Sequence, residues 1–331
     1  MNKQILGLLA VMLTFLFSCS DENSDIGKRE GIVNFTIETS IPKGITTYAS
    51  HEGGIANVNP DDYSLRYIME VWTRETTPRL AYREIKIAAD FVASTNVTFT
   101  VRLLAQAYDF VFWADFVDKN NPAADKFYDT NSGGPALTST AYLGLRDIKI
   151  KPPYDISNEV RDAFFAVEEN VDLSVSSQLR SVITLTRPFG KYRLISTDVP
   201  VNITEDVADD VTIDYRVMGS PAVLPAGFDA LKGDITAETI TVTTNTQKAT
   251  KEDVSVGGKT YSGVYVLAFD YIFTPKAVPQ TVRFKVSVKN TGGDQIGYRE
   301  IPNIPIERNK LTTIIGNFFT NTAVMDMVID E

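Results

Sequence analysis

Cysteine and histidine are almost absent from this 331-residue chain, which contains one of each. A single cysteine excludes a framework of internal disulfide bonds, so apolar packing must stabilise the folded part. The lone histidine, His51, cannot build a histidine-clustered zinc site, and no second cysteine is there to complete one. The formal net charge of −10 and the lack of a basic cluster argue against nucleic acid as a partner.

Long apolar runs are also scarce, and the sequence has one, at residues 5–17, directly after Lys3. Its length suits the core of a signal peptide and is too short for a permanent membrane span. The run ends at Ser18 and Cys19, an arrangement that resembles the bacterial lipobox. We therefore expect residues 1–18 to be a lipoprotein signal peptide and Cys19 to be the lipidated (palmitate-bearing) residue. An ordinary secretory signal that contains a cysteine is the alternative.

Residues 19–30 predict an acidic tether between the lipid and the fold, because Asp21, Glu22 and Asp25 follow the cysteine within a polar stretch. This stretch resembles the acidic export signal of Bacteroidetes lipoproteins that reach the outer leaflet of the outer membrane. A plain flexible linker is compatible with the same residues. The expected location is the outer membrane at the cell surface, with a lipid anchor at least on the precursor.

Alternation of apolar and polar residues with period two dominates the rest of the chain and predicts half-buried strands. Residues 97–103 are the best example, and the Gly-Gly pair of residues 292–293 predicts a hairpin turn. Helical periodicity is confined to residues 155–166, with Ser157 or Asn158 as the candidate cap. The pattern predicts an all-β chain of two β-sandwich domains, residues 31–197 and 198–331, with one short helix.

Each candidate motif for catalysis or ligand binding lacks a residue or a geometry that its chemistry requires. Residues 257–260 resemble the end of a phosphate loop, but Asp253 stands where that loop needs glycine. Residues 118–129 have oxygen ligands at calcium-like spacing, yet Pro122 and Ala123 occupy essential positions. The carboxylate pairs at 168–169 and 209–210 point to opposite faces in a strand. We expect no enzyme activity, no cofactor and no metal site.

Two segments resemble the fimbrillin-type pilins of Bacteroidetes. Residues 306–320 contain an Arg-Asn pair, threonines, an apolar pair and Gly-Asn before a final threonine, and residues 187–194 are similar to the strand pair that closes the first domain. The resemblance implies two transthyretin-like β-sandwich domains and a lipoprotein precursor. It also implies that an arginine-directed protease removes the first strand, and that the C-terminal strand of another subunit fills the resulting groove.

Both strands of such an exchange have candidates in this chain. Residues 32–41 would be the displaced first strand, whose core-facing side chains would be Val33, Phe35, Ile37 and Ile41. Residues 322–331 would be the donor strand, whose apolar face would be formed by Ala323, Met325, Met327 and Ile329. The alternative is an ordinary last strand that pairs within its own domain.

The candidate processing site is Arg29, which precedes the candidate first strand. Cleavage there would remove the lipid tether and leave that strand in place. Residues 42–60 contain Lys43 but no arginine, and the next arginine, Arg66, lies inside a strand-like run. This arrangement departs from that of a processed stalk subunit. It leaves open an anchor, tip or accessory subunit that keeps its lipid, or a different first strand.

The predicted function is a structural or accessory subunit of a cell-surface fimbria, or pilus, that assembles by strand donation and supports adhesion. Its expected partners are other fimbrial subunits or copies of itself, with host surface ligands as further candidates. The alternative is a non-polymerising surface lipoprotein that binds glycans. In that case Trp72, Trp113 and Tyr142 would be candidates for a sugar platform, although aromatic residues in strands usually belong to the core.

Overall fold

The computed structural model describes residues 30–37, 58–91, 96–134, 136–137, 139–174, 180–198, 210–214, 216–217, 220–242, 244–290, 292–320 and 325–330. Almost all regular structure in these residues is β-strand, so the predicted all-β class is confirmed. The first nine strands are β1 Glu30–Ile37, β2 Tyr63–Thr73, β3 Leu80–Ile87, β4 Val97–Leu104, β5 Ala107–Asp118, β6 Tyr128–Asp129, β7 Ile148–Ile150, β8 Ala163–Asp172 and β9 Arg180–Ile183.

The second half of the chain contains shorter and more numerous strands. They are β10 Phe189–Ser196, β11 Asp210–Asp214, β12 Arg216–Val217, β13 Ser220–Pro225, β14 Gly227–Asp229, β15 Asp234–Ile235, β16 Thr239–Val242, β17 Thr244–Gln247, β18 Thr250–Val256, β19 Lys259–Phe273, β20 Gln280–Lys289, β21 Gln295–Ile306, β22 Leu311–Gly316 and β23 Met325–Asp330.

The first sandwich packs a three-stranded sheet, β4-β1-β9, against a four-stranded sheet, β3-β2-β5-β8. Strand β4 alternates buried and exposed residues along its whole length, as its sequence predicts. Phe99 and Val101 of β4 belong to the same buried cluster as Met69 of β2 and Phe112 of β5. The two sheets therefore share one apolar core.

The second sandwich packs a five-stranded sheet, β18-β19-β10-β22-β23, against a four-stranded sheet, β17-β11-β20-β21. Leu194, Leu267 and Ile314 of the five-stranded sheet meet Val286 and Ile301 of the other sheet in a second buried cluster. A separate three-stranded sheet is formed by β12, β13 and β16. The C-terminal strand β23 lies at one edge of the five-stranded sheet.

A small four-stranded sheet, β15-β14-β7-β6, joins the two halves of the chain. The register pairs Ile148 of β7 with Phe228 of β14. Around it lies a third cluster that contains Trp113 and Tyr128 from the first half and Phe228 and Phe273 from the second. We call this cluster the seam, and it makes one continuous core between the two sandwiches.

Strand β10 differs from the predicted division of the chain at residues 197 and 198. That division assigned Phe189–Ser196 to the first domain, but β10 pairs with β19 and β22 in the five-stranded sheet of the second sandwich. The sequence did not reveal this because β10 reads as a continuation of β9 until its partners, which come more than sixty residues later, are known. Strand β9 belongs to the first sandwich and β10 to the second, so the chain passes from one to the other near Pro188.

The predicted helix over residues 155–166 is wrong. One turn of 3-10 helix spans Glu159–Arg161, and the strand β8 begins at Ala163. Asn158 does cap that turn, because its side chain accepts a hydrogen bond from the backbone N–H of Val160. Ala163, Phe164 and Phe165 instead open β8 as consecutive strand residues, and all three are buried.

Among the residues that the structure describes, no helix is long and apolar enough to span a membrane.

Candidate functional site

The first strand, β1, lies in the middle of its sheet. It pairs antiparallel with β4 along eight residues and parallel with β9 along its last part. The ladder places Val33, Phe35 and Ile37 opposite Val101, Phe99 and Val97 of β4. Those three β4 side chains are buried in the first core.

Removal of β1 would leave a slot between two strands that would otherwise be its partners. Adjacent strands lie about 4.8 Å apart, so β4 and β9 would face each other across about 10 Å with unpaired N–H and C=O groups on both sides. An unpaired edge of this kind readily accepts another strand. Of the predicted first-strand residues, Ile41 lies outside the described residues.

The C-terminal strand β23 is an edge strand that pairs antiparallel with β22 over six residues. In the described part of the chain, no other strand pairs with its outer edge. This monomer therefore holds its last strand in cis by a single ladder. Of the predicted donor residues, Ala323 lies outside the described residues, and the other three lie on β23.

Those three residues form an apolar stripe that solvent reaches. Met325, Met327 and Ile329 are 41%, 42% and 37% exposed. The ladder places Met327 beside Ile314 of β22, which is fully buried in the second core. The core face of the five-stranded sheet thus continues onto β23, beyond the area that the opposite sheet covers. We call Met325, Met327 and Ile329 the exposed stripe.

The segment just before β23 is fixed to the second sandwich by two charged side chains. The carboxylate of Asp198 accepts the backbone N–H groups of Phe318, Phe319 and Thr320, at 2.7, 3.0 and 2.6 Å. Arg299 donates to the carbonyl oxygens of Asn317, at 3.0 Å, and of Thr320. We call Asp198 and Arg299 the hinge clamp, because the chain is held up to Thr320.

The surroundings of Asp198 favour its ionised form and lower its pKa. Partial burial alone would raise its pKa, but hydrogen bonds from Ser196, Thr320 and Phe319 outweigh burial and lower the pKa. Hydrogen bonds to the charged form of a carboxyl favour that form. The clamp is therefore an electrostatic contact as well as a geometric one.

Sequence reasoning missed the hinge clamp. Asp198 and Arg299 follow no motif, and the partners of Asp198 lie about 120 residues away along the chain. The nearest signal is the threonine-rich and Gly-Asn pattern of residues 306–320, which marks the segment that the clamp holds. Nothing in that pattern names the residues that hold it.

The aromatic residues considered for a sugar platform belong to the core. Trp72, Trp113 and Tyr142 are 1%, 0% and 5% exposed. Trp72 and Tyr142 stack on each other with ring centroids 6.2 Å apart, and both donate hydrogen bonds to the buried carboxylate of Glu70. A sugar platform needs an aromatic face open to solvent, and none of these three residues offers one.

The segments excluded as catalytic or metal sites have structural explanations. The glycines at 257 and 258 form the turn between β18 and β19. In the loop at residues 118–129, Asp118 binds Lys126 and Asp125 binds the buried Arg66. The described residues contain no group of three or more His, Cys, Asp or Glu side chains that would hold a metal ion. His51, Cys19 and Arg29 lie outside the described residues.

A family model and several solved structures match most of the chain. A family model described as a family of unknown function (DUF6562) matches residues 27–331. No curated protein matches the chain.

Solved structures that resemble the chain include three fimbrial proteins. The tip fimbrial protein Mfa3 from Porphyromonas gingivalis, with a C-terminal truncation, is 9% identical, with 91% of this chain and 99% of that chain covered and a TM-score of 0.45. The fimbrial anchor protein Mfa2 from Porphyromonas gingivalis is 10% identical, with 90% and 95% covered and a TM-score of 0.41. A fimbrial assembly protein from Parabacteroides distasonis is 7% identical, with 91% and 95% covered and a TM-score of 0.44.

Proposed function

We propose that this chain, which belongs to the family of unknown function DUF6562, is a fimbrial subunit that assembles by strand exchange at the bacterial cell surface. The single observation that carries the proposal is the exposed stripe. A terminal strand that is paired on one edge only presents three large apolar side chains to solvent, at positions that continue a core face. Such a strand buries those side chains fully only when it enters another groove.

The physical gain from such an exchange is apolar burial. Met325, Met327 and Ile329 each lie near 40% exposure, so each would gain less than half of the about 1.5–3 kcal/mol that burial of a fully exposed large apolar side chain contributes. The proposed acceptor is the first-strand slot of a different fimbrial subunit, one that has lost its own first strand. In this chain the corresponding slot lies between β4 and β9 and is filled by β1. Backbone hydrogen bonds to the two strands that flank such a slot would replace those that β23 gives up.

The N-terminal part of the proposal concerns attachment. We propose that Cys19 carries lipid and that residues 19–30 tether the fold to the outer leaflet of the outer membrane. Cleavage after Arg29 would release this tether directly before β1, which begins at Glu30. The slot would then remain filled, so a cut at Arg29 produces a donor subunit and not an acceptor.

Arg66 supports a subunit that retains its first strand. It is the first arginine after Arg29, and in the structure it is fully buried in β2, where it pairs with Asp115 at 2.7 Å. A trypsin-like protease needs an accessible arginine, and Arg66 is buried in the folded state. We therefore propose an anchor or accessory subunit, in which β1 stays in place and the lipid is kept.

The test compares the full-length chain with a variant that ends at Thr320, both expressed in the native host. Outer-membrane extracts are run without boiling to display oligomers that resist detergent, and the N-terminus of the protein is sequenced. We expect the intact chain to appear in ladders with other subunits, and the truncated chain to appear only as monomer. Equal ladders from the truncated chain would contradict strand donation.

Two single substitutions separate strand donation from general surface damage. Met327→Asp places a charge on the exposed stripe, and Ile85→Asp places one on the edge strand β3, where Ile85 is exposed to a similar degree, 36% against 42%. We expect Met327→Asp to lose the ladder and Ile85→Asp to keep it. Loss of the ladder in both variants would point to non-specific aggregation.

The glycan-binding alternative receives less support from the described residues. A cavity of about 570 Å³ lies between Trp72, Leu80, Leu137 and Tyr142, which is large enough for a small ligand. The indole of Trp72 and the phenol of Tyr142 line it, but they stack on each other and are buried, so neither ring offers an open face to a sugar. Binding to a carbohydrate array that disappears with Tyr142→Ala would favour this alternative over the fimbrial one.

A further inference from the structure

The five-stranded sheet of the second sandwich has a second apolar face, on the side away from the second core. Six buried side chains form a separate cluster there: Ile195, Val254, Val256, Val264, Val266 and Ile315. All of them come from the five-stranded sheet itself. Among the described residues no other sheet contributes to this cluster, so the sheet must fold over its own face.

The folding is produced by a bend in the hairpin of β18 and β19. The ladder shifts register between Glu252 and Val254, and Gly263 opposite has a φ of +63°. The N–H of Gly263 donates to the carboxylate of Asp253 at 2.7 Å. A β-bulge with glycine in the left-handed region bends the strand pair. The part beyond the bend, residues 254–264, is called the hairpin flap.

The hairpin flap reaches the C-terminal strand. A Cβ placed on Gly257, at the turn of the flap, would lie 3.6 Å from Cγ1 of Val328. Val328 packs against the flap cluster together with Tyr261, and it is half-buried. Its neighbours Met327 and Ile329, on the opposite face of β23, are exposed. The strand therefore has one face under the flap and one face open.

We propose that the hairpin flap is a latch that retains β23 in cis in the unassembled subunit, and that its displacement releases the strand for donation. The inference rests on the proposed function. The contacts that hold β23 within the described residues are its ladder with β22 and the packing of Val328 under the flap. Only the flap contact involves an element outside the β22–β23 pair. We therefore infer that another subunit has to displace the flap before it can take up β23.

The first test closes the latch covalently in the full-length chain. The double variant Gly257→Cys and Val328→Cys places two thiols at this contact, where a Cβ on Gly257 would lie 3.6 Å from Cγ1 of Val328. Because Gly257 has a φ of +55°, which disfavours a side chain, formation of the bridge is verified by mass spectrometry before the ladder is compared. Under oxidising conditions we expect the ladder of detergent-resistant oligomers to disappear, and reduction with dithiothreitol to restore it. Each single-cysteine variant is the control.

The second test loosens the latch. Val256→Ala removes two methyl groups from the flap cluster, and Val242→Ala removes the same groups from the second core at similar burial, 4% against 5% exposure. Amide hydrogen exchange is followed at residues 325–330 of the detergent-extracted protein. We expect Val256→Ala to accelerate exchange there about fivefold and Val242→Ala to leave the rate within twofold.

The two readouts distinguish the latch from the fimbrial proposal. Faster exchange with Val256→Ala in a protein that never forms ladders supports the latch and contradicts strand donation. Ladders that form equally in the oxidised and reduced double variant, with the disulfide verified by mass spectrometry, overturn the latch and leave strand donation standing. Equal exchange rates in Val256→Ala and Val242→Ala also overturn the latch.

Discussion

The seam between the sandwiches and the C-terminal edge of the second sandwich are both apolar, but they are held in different ways. The seam is closed by stacked aromatic rings, for example Phe189 on Phe273 at 4.6 Å, and by buried ion pairs. Arg161 binds Asp270 at 3.0 Å, and Lys191 binds Glu159 at 2.8 Å. The edge has one ladder, one half-buried valine and a hinge clamp.

The seam and the edge therefore differ in how much free energy their separation costs. A buried ion pair cannot open without leaving a charge in an apolar environment, so the seam resists separation of the two sandwiches. An edge strand with one face in solvent gives up a smaller number of contacts when it leaves. The structure therefore combines a seam of buried aromatic rings and ion pairs with an edge strand that is paired on one side only.

The largest effect is expected from breaking the seam. Asp270→Ala leaves the guanidinium of Arg161, which is 2% exposed, without its carboxylate, and we expect the free energy of unfolding to fall by about 3–5 kcal/mol. Chemical denaturation measures it. Glu75→Ala, which breaks an exposed pair with Arg79, is the control and should leave the stability nearly unchanged, because solvent screens an exposed pair. Equal losses would show that the seam pairs are not special.

A smaller effect is expected at the hinge clamp. Asp198→Ala removes the acceptor of three backbone N–H groups in a segment that is partly open to water, and we expect a loss of about 1–2 kcal/mol. Amide exchange at Phe318 to Thr320 should accelerate, while the seam keeps its protection. Unchanged exchange at those three residues would mean that the clamp does not hold the hinge.

The same carboxyl makes the hinge sensitive to acid. The pKa of Asp198 is lower in the folded state than in the unfolded chain, where it is about 3.9. Its contribution to stability is therefore complete above about pH 4 and is lost as the pH falls through the folded-state pKa. The protection of the Thr320 amide, which is its exchange rate relative to the intrinsic rate at the same pH, should fall over this acid window in the intact chain. Asp198→Asn, which cannot titrate, should show no such pH-dependent fall in protection.

The smallest effect is expected on the exposed stripe. Met327→Thr should change the free energy of unfolding by less than about 0.5 kcal/mol, because surface substitutions usually fall within that range. Ile314→Thr, its ladder neighbour in the second core, should cost about 2–4 kcal/mol through lost burial and a buried hydroxyl. A large loss with Met327→Thr would mean that the stripe is part of the core.

Sequence patterns predicted the strands well where one face of a sheet is buried. The alternation at residues 97–103 became β4, with every second side chain in the core, and the Gly-Gly turn at 292–293 separates β20 from β21. The pattern failed at residues 155–166, because a strand that is buried on both faces has no alternation and a run of apolar residues there fits a helix equally well.

The C-terminal strand was predicted from its own residues, whereas the contacts that hold it against the second sandwich were not. The stripe of Met325, Met327 and Ile329 is visible in the chain as alternate apolar positions. The contacts of Asp198 with the hinge and of the hairpin flap with Val328 join residues that are 70 to 120 positions apart. Such contacts have no local periodicity, so single-sequence reasoning could not supply them.

The sequence by itself determined the strand periods, the all-β class and the apolar face of the last strand, because these depend on side chains two residues apart. The tertiary structure alone decided that β10 belongs to the second sandwich, that a small sheet joins the two halves, and which side chains hold β23. The reason is that pairing between distant strands depends on which edges meet after folding, and the residues of one strand do not identify the strand that it will pair with.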